Sequence, residues 1–181
     1  CALPICFWGL DPEQFKNRAR EGRLALQQAR RRLGPEKGYT HYANYKDDEL
    51  TDMFHHTLFP NLTLTLEPDG LHMFRTEPDA DDPSWSTFDY WYLAPEVAGR
   101  EAVPTIYGGR PWEEATHETD SFQDYAATLP QGDFLIQDLE LAVTQQQGLK
   151  SMALEDFYLA DQETRIRRFH EVLNDYIEGR D

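Results

Sequence analysis

The sequence predicts an α+β domain, a twisted antiparallel sheet gripping a long C-terminal helix, and three stretches carry that prediction. Leu62, Leu64 and Leu66 alternate with Thr63, Thr65 and Glu67, the period-two pattern of a half-buried strand. Ser84 to Leu93 is dense in aromatic residues (Trp85, Phe88, Tyr90, Trp91, Tyr92), which favour strands. Ile166, Phe169, Val172, Leu173 and Tyr176 recur at helical spacing and give a closing helix, Asp161 to Gly179, an apolar stripe.

The elements follow in order. Asp11-Pro12-Glu13 starts a helix, with a capping side chain and then a proline where no amide donor is needed. That helix is expected from Pro12 to Leu33, with Phe15, Ala19, Leu26, Ala29 and Leu33 on one face. Arg30, Arg31 and Arg32 crowd its C-terminal end, where cations suit the dipole, and Gly34-Pro35 stops it. Asp47-Asp48-Glu49 reads as a cap. Residues 53–94 form an antiparallel meander: a strand through His55-His56-Thr57-Leu58, the alternating run above, a Pro68-Asp69-Gly70 turn, a return strand Leu71 to Thr76, a loop Pro78 to Pro83, and the aromatic strand. Residues 95–132 are expected as a long acidic excursion punctuated by Pro95, Pro104, Pro111 and Pro130, with a short helix at Ser121 to Thr128. A helix from Asp133 to Gln147 ends at Gly148.

At 181 residues the length predicts one domain, and 40% hydrophobic with 28% charged residues is the composition of a soluble globular chain. A formal net charge of −16 repels phosphate backbones and anionic membrane surfaces, which excludes nucleic acid and membrane as partners. Cys1 and Cys6 build neither a disulfide framework nor a four-ligand zinc site, and they point to a reducing, cytoplasmic setting. The opening residue is Cys1 rather than Met, the mark of a processed or truncated chain.

Asp138 is the residue whose position calls for an explanation. On a helix it shares a face with Phe134, Leu135, Leu141 and Ala142, so its carboxylate is expected on an apolar stripe. A buried carboxylate needs a cation, a hydrogen-bond donor or a path to water. No lysine or arginine occurs between Arg110 and Lys150. A metal ion is one answer; backbone amides or a place at the rim of the stripe are the others.

Two motifs carry a resemblance. Phe59-Pro60-Asn61, entered from the strand bearing His55 and His56, is similar to the Phe-Pro-Asn segment of ring-hydroxylating oxygenase alpha subunits. Gln137-Asp138, followed by Gln146-Gln147-Gly148-Leu149, resembles the same family's acidic pair and its Gln-x-Gly-Leu sequence, with Gln137 departing from the first acidic position. Arg165-Ile166-Arg167-Arg168-Phe169-His170 is similar to its closing helix. The resemblance covers the chain from about Asp47 onward.

The resemblance implies a helix-grip (START/SRPBCC-like) catalytic domain and an oxidoreductase. Such an enzyme inserts dioxygen-derived oxygen into an aromatic or other organic substrate at a mononuclear non-haem Fe(II) held by two histidines and one aspartate. Asp138 matches that aspartate, making it the expected catalytic and metal-binding residue. Phe134, Asn61, Leu58 and Phe74 are the expected substrate-pocket walls. The family's two histidines form an Asp-x-x-His-x-x-x-x-His arrangement, whereas His41, His55, His56, His72, His117 and His170 include no such pair. Nor does the chain hold the cysteine and histidine pairs of a Rieske [2Fe-2S] cluster. The chain is therefore expected to be the C-terminal portion of the catalytic domain, inactive alone, with the Rieske domain upstream. Electrons would come from NADH through a reductase or ferredoxin, and the intact protein would be a trimer. Two other readings stand beside this one: a non-catalytic helix-grip domain binding an apolar ligand, and a purely structural acidic domain that binds basic proteins, whose sign is an exposed Asp138 and no cavity. His55 and His56 point to opposite faces of a strand, so one of them lines the core or pocket. His117-Glu118-Thr119-Asp120 reads as a solvated loop.

Overall fold

The computed structural model describes residues 3–95, 97, 99, 102–105, 108–111, 134–154, 156 and 158–180. It has the α+β architecture that the sequence predicts, with an antiparallel four-stranded sheet and several helices. Where length suggests one domain, the chain divides into two compact units, residues 1–79 with 86–115, and residues 80–85 with 116–181.

The first unit begins with α1 (Leu3–Phe7) and a 3-10 turn at Pro12–Phe15. Asp11 caps that turn, its Oδ1 accepting from the Glu13 amide at 3.0 Å. The single helix expected from Pro12 is interrupted. Asn17 takes a φ of 60°, and α2 (Ala19–Leu33) starts only after it. Asparagine is among the few side chains that tolerate this left-handed conformation. Ala29 of α2 packs with Trp8, Tyr39, Tyr42, Leu50 and Val97 in the buried core, bordered by Leu10, Leu26, Leu33 and Tyr45.

Two of the three arginines closing α2 turn to neighbouring segments. Arg30, only 7% exposed, donates from Nη1 to the Leu50 carbonyl at 2.6 Å and from Nη2 to Asp69 at 3.3 Å. Its guanidinium lies 5.7 Å from the centre of the Trp8 ring and 5.8 Å from that of Tyr42. The Tyr42 hydroxyl donates to the other oxygen of Asp69. Burial, reinforced by the Asp69 charge, pushes the Tyr42 phenol far above its ordinary range. Arg31 donates to the carbonyls of Tyr42 and Tyr45 and to Asp47. These contacts tie α2 to the Pro68-Asp69-Gly70 turn and to the short turns of residues 40–50.

The sheet runs β1 (Phe54–Leu58), β2 (Leu62–Glu67), β3 (Gly70–Pro78) and β4 (Ser86–Leu93), in sequence order and all antiparallel. Opposed residues on paired strands share a face. One face carries Phe54, Leu58, Leu62, Leu64, Leu66, Leu71, Met73, Trp91 and Leu93, with His56 and the Arg75–Asp89 ion pair. The other carries His55, Thr63, Thr65, Glu67, His72, Phe74, Phe88, Tyr90 and Tyr92. Alternation alone would put the leucines inside. Instead Thr65 and His72 are the buried strand residues, at 7% and 5% exposure, while Leu58, Leu66 and Leu93 stand exposed. A two-stranded ribbon, β5 (Ala102–Thr105) with β6 (Gly108–Pro111), lies within the stretch expected as an irregular excursion. A ribbon of two strands is all edge, so Pro104 and Pro111 interrupt no interior ladder. The helix expected at Ser121 to Thr128 and the His117 to Asp120 loop lie outside the described residues.

The second unit holds α3 (Phe134–Leu149) and α4 (Thr164–Glu178), both close to the expected bounds. The β3–β4 loop docks on the end of α3. Gln146 donates to the Pro83 carbonyl at 3.3 Å, and Lys150 donates to the Ser84 hydroxyl at 2.6 Å. Glu163 caps the approach to α4 by accepting from the Ala160 amide at 2.6 Å. Gly179, at a φ of 65°, closes α4 by donating to the carbonyls of Asp175 and Tyr176. The expected apolar stripe is present on α4, but Ile166 and Tyr176 are exposed and no residue of the helix is buried.

Candidate functional site

Asp138 stands in the second turn of α3, four residues after Phe134, which opens the helix. The burial expected from its spacing is not found. Asp138, Leu141, Ala142 and Val143 are all exposed, and Leu135 is the buried residue of this turn. Around Asp138 the apolar side chains at Leu141, Ala142 and Val143 are uncovered, so the carboxylate has reached water rather than a cation. Among the described residues it forms no hydrogen bond or ion pair, and the arginine or lysine that would have neutralised it is not there.

Such a carboxylate is one metal ligand and no more. No group of three or more histidine, cysteine, aspartate or glutamate side chains stands together among the described residues. The described residues therefore do not by themselves make an iron site; they offer a single donor toward one, and a single carboxylate is a weak site.

The pocket walls expected from the sequence separate on the sheet. Asn61 follows the turn formed by Phe59 and Pro60, whose peptide bond is cis. Its carbonyl accepts from the Thr76 amide at 3.1 Å, which extends the β2–β3 register and puts Asn61 in line with Thr63 and Phe74. Leu58, 50% exposed, pairs with Leu62 and projects from the opposite face. Asn61 and Phe74 can line one surface; Leu58 cannot share it, because strand side chains alternate between faces.

The face bearing Phe74 holds a polar arrangement that the sequence reading passed over. His55, Thr65, His72 and Tyr92 are directly opposed on the four strands and make one row across the sheet. His72 Nδ1 lies 2.8 Å from the Tyr90 hydroxyl and Nε2 lies 3.1 Å from Glu67 Oε1. Tyr92 donates to the same Glu67 oxygen at 2.9 Å. On the edge strand, His55 Nδ1 lies 2.8 Å from Thr65 Oγ1. His72, Phe74 and Tyr90 stack nearly parallel, with centroids 5.8 Å apart for His72–Tyr90 and 5.1 Å for Phe74–Tyr90. The signal for this row is the same period-two alternation that marks the strand, whose threonine side is the one that carries it.

The His72 hydrogen bond, helped by that from Tyr92, holds the Glu67 carboxyl below its ordinary value of 4.5. Burial and the Glu67 charge push the Tyr92 phenol well above its usual range. A depressed carboxylate stabilises the fold fully above 4.5, and that contribution is lost as pH falls through the lower folded value. Replacing Glu67 by Gln is therefore expected to cost about 1–2 kcal/mol at neutral pH and progressively less at an acidic pH below the lowered folded value. Urea denaturation midpoints of both proteins at the two pH values measure this; an equal deficit at both would show that the charge is not what stabilises the row.

The family model described as ring hydroxylating alpha subunit (catalytic domain) matches residues 6–179. No curated protein and no solved structure gives a significant match to the chain.

Proposed function

This chain belongs to the ring-hydroxylating alpha-subunit catalytic-domain family, and from that membership we propose that it is the C-terminal portion of a Rieske non-haem iron oxygenase catalytic domain. The family supports oxygenase function and an oxidoreductase class. The reaction proposed here is insertion of dioxygen-derived oxygen into an aromatic or related organic substrate. The proposal rests on Asp138, which by resemblance matches the family's aspartate position and whose exposed carboxylate has no partner among the described residues.

In this reading Asp138 supplies the anionic ligand of a mononuclear iron whose two histidines lie outside these 181 residues. The metal, when bound, supplies the dioxygen chemistry. By resemblance Phe134, one turn before Asp138 in sequence, and, separately on the sheet, Asn61 and Phe74 are the proposed substrate contacts; Leu58, on the opposite face of the sheet from Phe74, is withdrawn. In the intact cytoplasmic, oligomeric protein the electron donor would be NADH, through a reductase or ferredoxin and a Rieske cluster held by residues other than these. No helix among the described residues is long and apolar enough to cross a membrane.

Iron content tests the assignment. In the polypeptide that carries this segment together with its histidine ligands, Asp138→Ala is expected to weaken iron binding by at least about tenfold, the floor set by losses of groups that merely orient ligands. The 181-residue chain alone is expected to hold no stoichiometric iron. Unchanged iron retention in the Asp138→Ala protein would remove Asp138 from the ligand set.

A further inference from the structure

We propose that Tyr90 is a proton-coupled redox site. It gives one electron to an outer-sphere oxidant, a high-potential metal complex, while His72 takes its proton and Glu67 positions His72. The proposal goes beyond the oxygenase reading and does not depend on it, since all three residues lie on the four-stranded sheet of the first unit. Three observations carry it. The first is a chain of hydrogen bonds. Glu67 Oε1 lies 3.1 Å from His72 Nε2, and a carboxylate only accepts, so Nε2–H donates to it. In the neutral ring that leaves Nδ1 as the acceptor, 2.8 Å from the Tyr90 hydroxyl, which donates. A hydroxyl facing a base that a third group orients is the arrangement that draws a proton off oxygen.

The second observation is that the pair is buried and held. His72 is only 5% exposed, so bulk water does not compete for Nδ1. Tyr90 stands diagonally across the β3–β4 ladder from His72, whose direct partner is Tyr92. The Tyr90 ring lies within 3° of parallel to the imidazole and within 11° of the Phe74 ring. In a stack held this way the proton crosses one existing hydrogen bond, and no side chain has to move.

The third is the acceptor itself. Tyr42 donates to Asp69 and Tyr92 donates to Glu67, both carboxylates. Tyr90 faces an imidazole, which is a stronger base than a carboxylate. In the step, the Tyr90 O–H bond breaks, one electron reduces the oxidant, and the proton moves to His72 Nδ1. The products are a neutral phenoxyl radical and an imidazolium, whose new positive charge faces the Glu67 carboxylate at 3.1 Å. A returning electron and the same proton restore the phenol, and no other atom enters or leaves.

Laser-flash oxidation of the 181-residue chain by photogenerated tris(bipyridine)ruthenium(III), at about pH 8 where an ordinary imidazole is neutral, tests the proposal. A fast phase of tyrosyl-radical formation is expected, slower in deuterium oxide than in water and absent from Tyr90→Phe, which keeps the ring. His72→Gln keeps an acceptor for the hydroxyl but no base, and it is expected to slow that phase about a hundredfold, the low end of what a positioned base contributes. Glu67→Gln should slow it about tenfold, the difference between a charged and a neutral hydrogen bond to His72. Near-ultraviolet circular dichroism of each variant reports whether the stacked rings remain in place. If His72→Gln loses them, the isotope effect on the wild-type chain and the Tyr90→Phe result decide. The proposal is overturned by the absence of a fast phase, by its survival in Tyr90→Phe, by the lack of an isotope effect, or by a wild-type rate in a folded His72→Gln protein. An unchanged rate in Glu67→Gln overturns the positioning role of Glu67.

Discussion

Arg30→Ala is expected to lower the unfolding free energy by about 3 kcal/mol, the low end of the cost of removing one partner of a buried ion pair. The low end applies for two reasons. Asp69 keeps 27% of its side chain in solvent, and it meets Arg30 at 3.3 Å, the longer of the two Arg30 contacts. Arg30 Nε is itself buried with no partner, so truncation removes one uncompensated donor along with the useful ones. What remains is the loss of the 2.6 Å bond to the Leu50 carbonyl, two cation–ring contacts, and the charge that faces Asp69 beside the buried Tyr42 hydroxyl. Chemical denaturation of wild type, Arg30→Ala, Asp69→Asn and the double variant measures the effect. The double variant is expected to be less destabilised than the sum of the singles, since the two residues share a network. A cost under 1 kcal/mol for Arg30→Ala would mean that the guanidinium contributes little and the aromatic core holds the hairpin turn without it.

Gly34→Ala is expected to cost a similar amount, about 3 kcal/mol, by overpacking rather than by loss of a contact. A Cβ at position 34 would lie 2.4 Å from the Arg30 carbonyl oxygen and 2.6 Å from the Tyr42 ring. Neither neighbour can yield easily. The carbonyl is helix backbone and accepts from the Gly34 amide at 2.8 Å; Tyr42 is wholly buried, stacked on Tyr39 and bonded to Asp69. The thermal midpoint should fall accordingly, with loss of the near-ultraviolet signal of the aromatic cluster. Gly34→Ala combined with Tyr42→Leu, which empties the colliding ring position, should be less destabilised than the two single costs added together. Strict additivity would place the strain elsewhere.

The candidate site was legible in part. Asp138 was found because a charged residue at helical spacing with leucines violates the usual pattern, and because its distance to Gln146 and Gly148 matches a motif. Its surroundings were not legible. Helical spacing says which side chains share a face, and Asp138 does share one with Leu135, Leu141 and Ala142, but only Leu135 of these is buried. Gln146, read only as part of the motif, also anchors the β3–β4 loop. The polar row of His55, Thr65, His72 and Tyr92 escaped because its members are ten, seven and twenty residues apart in sequence and meet only through strand register.

What the sequence by itself determined is the set of local choices: the meander of four strands, the Asp11 cap, the ends of α2 and α4, and which strand residues fall on the same side. Those depend on backbone propensity, capping groups and a period of two or 3.6, all of which act over a few residues. Only the tertiary structure decided which side of the sheet is covered, since alternation is symmetric between faces and burial depends on what packs there. It also decided that Arg30 serves Leu50 and Asp69 rather than the helix dipole, and that Asn17 breaks the first helix. For Arg30 the deciding groups, Leu50 and Asp69, are 20 and 39 residues away, and no short window along the chain contains them.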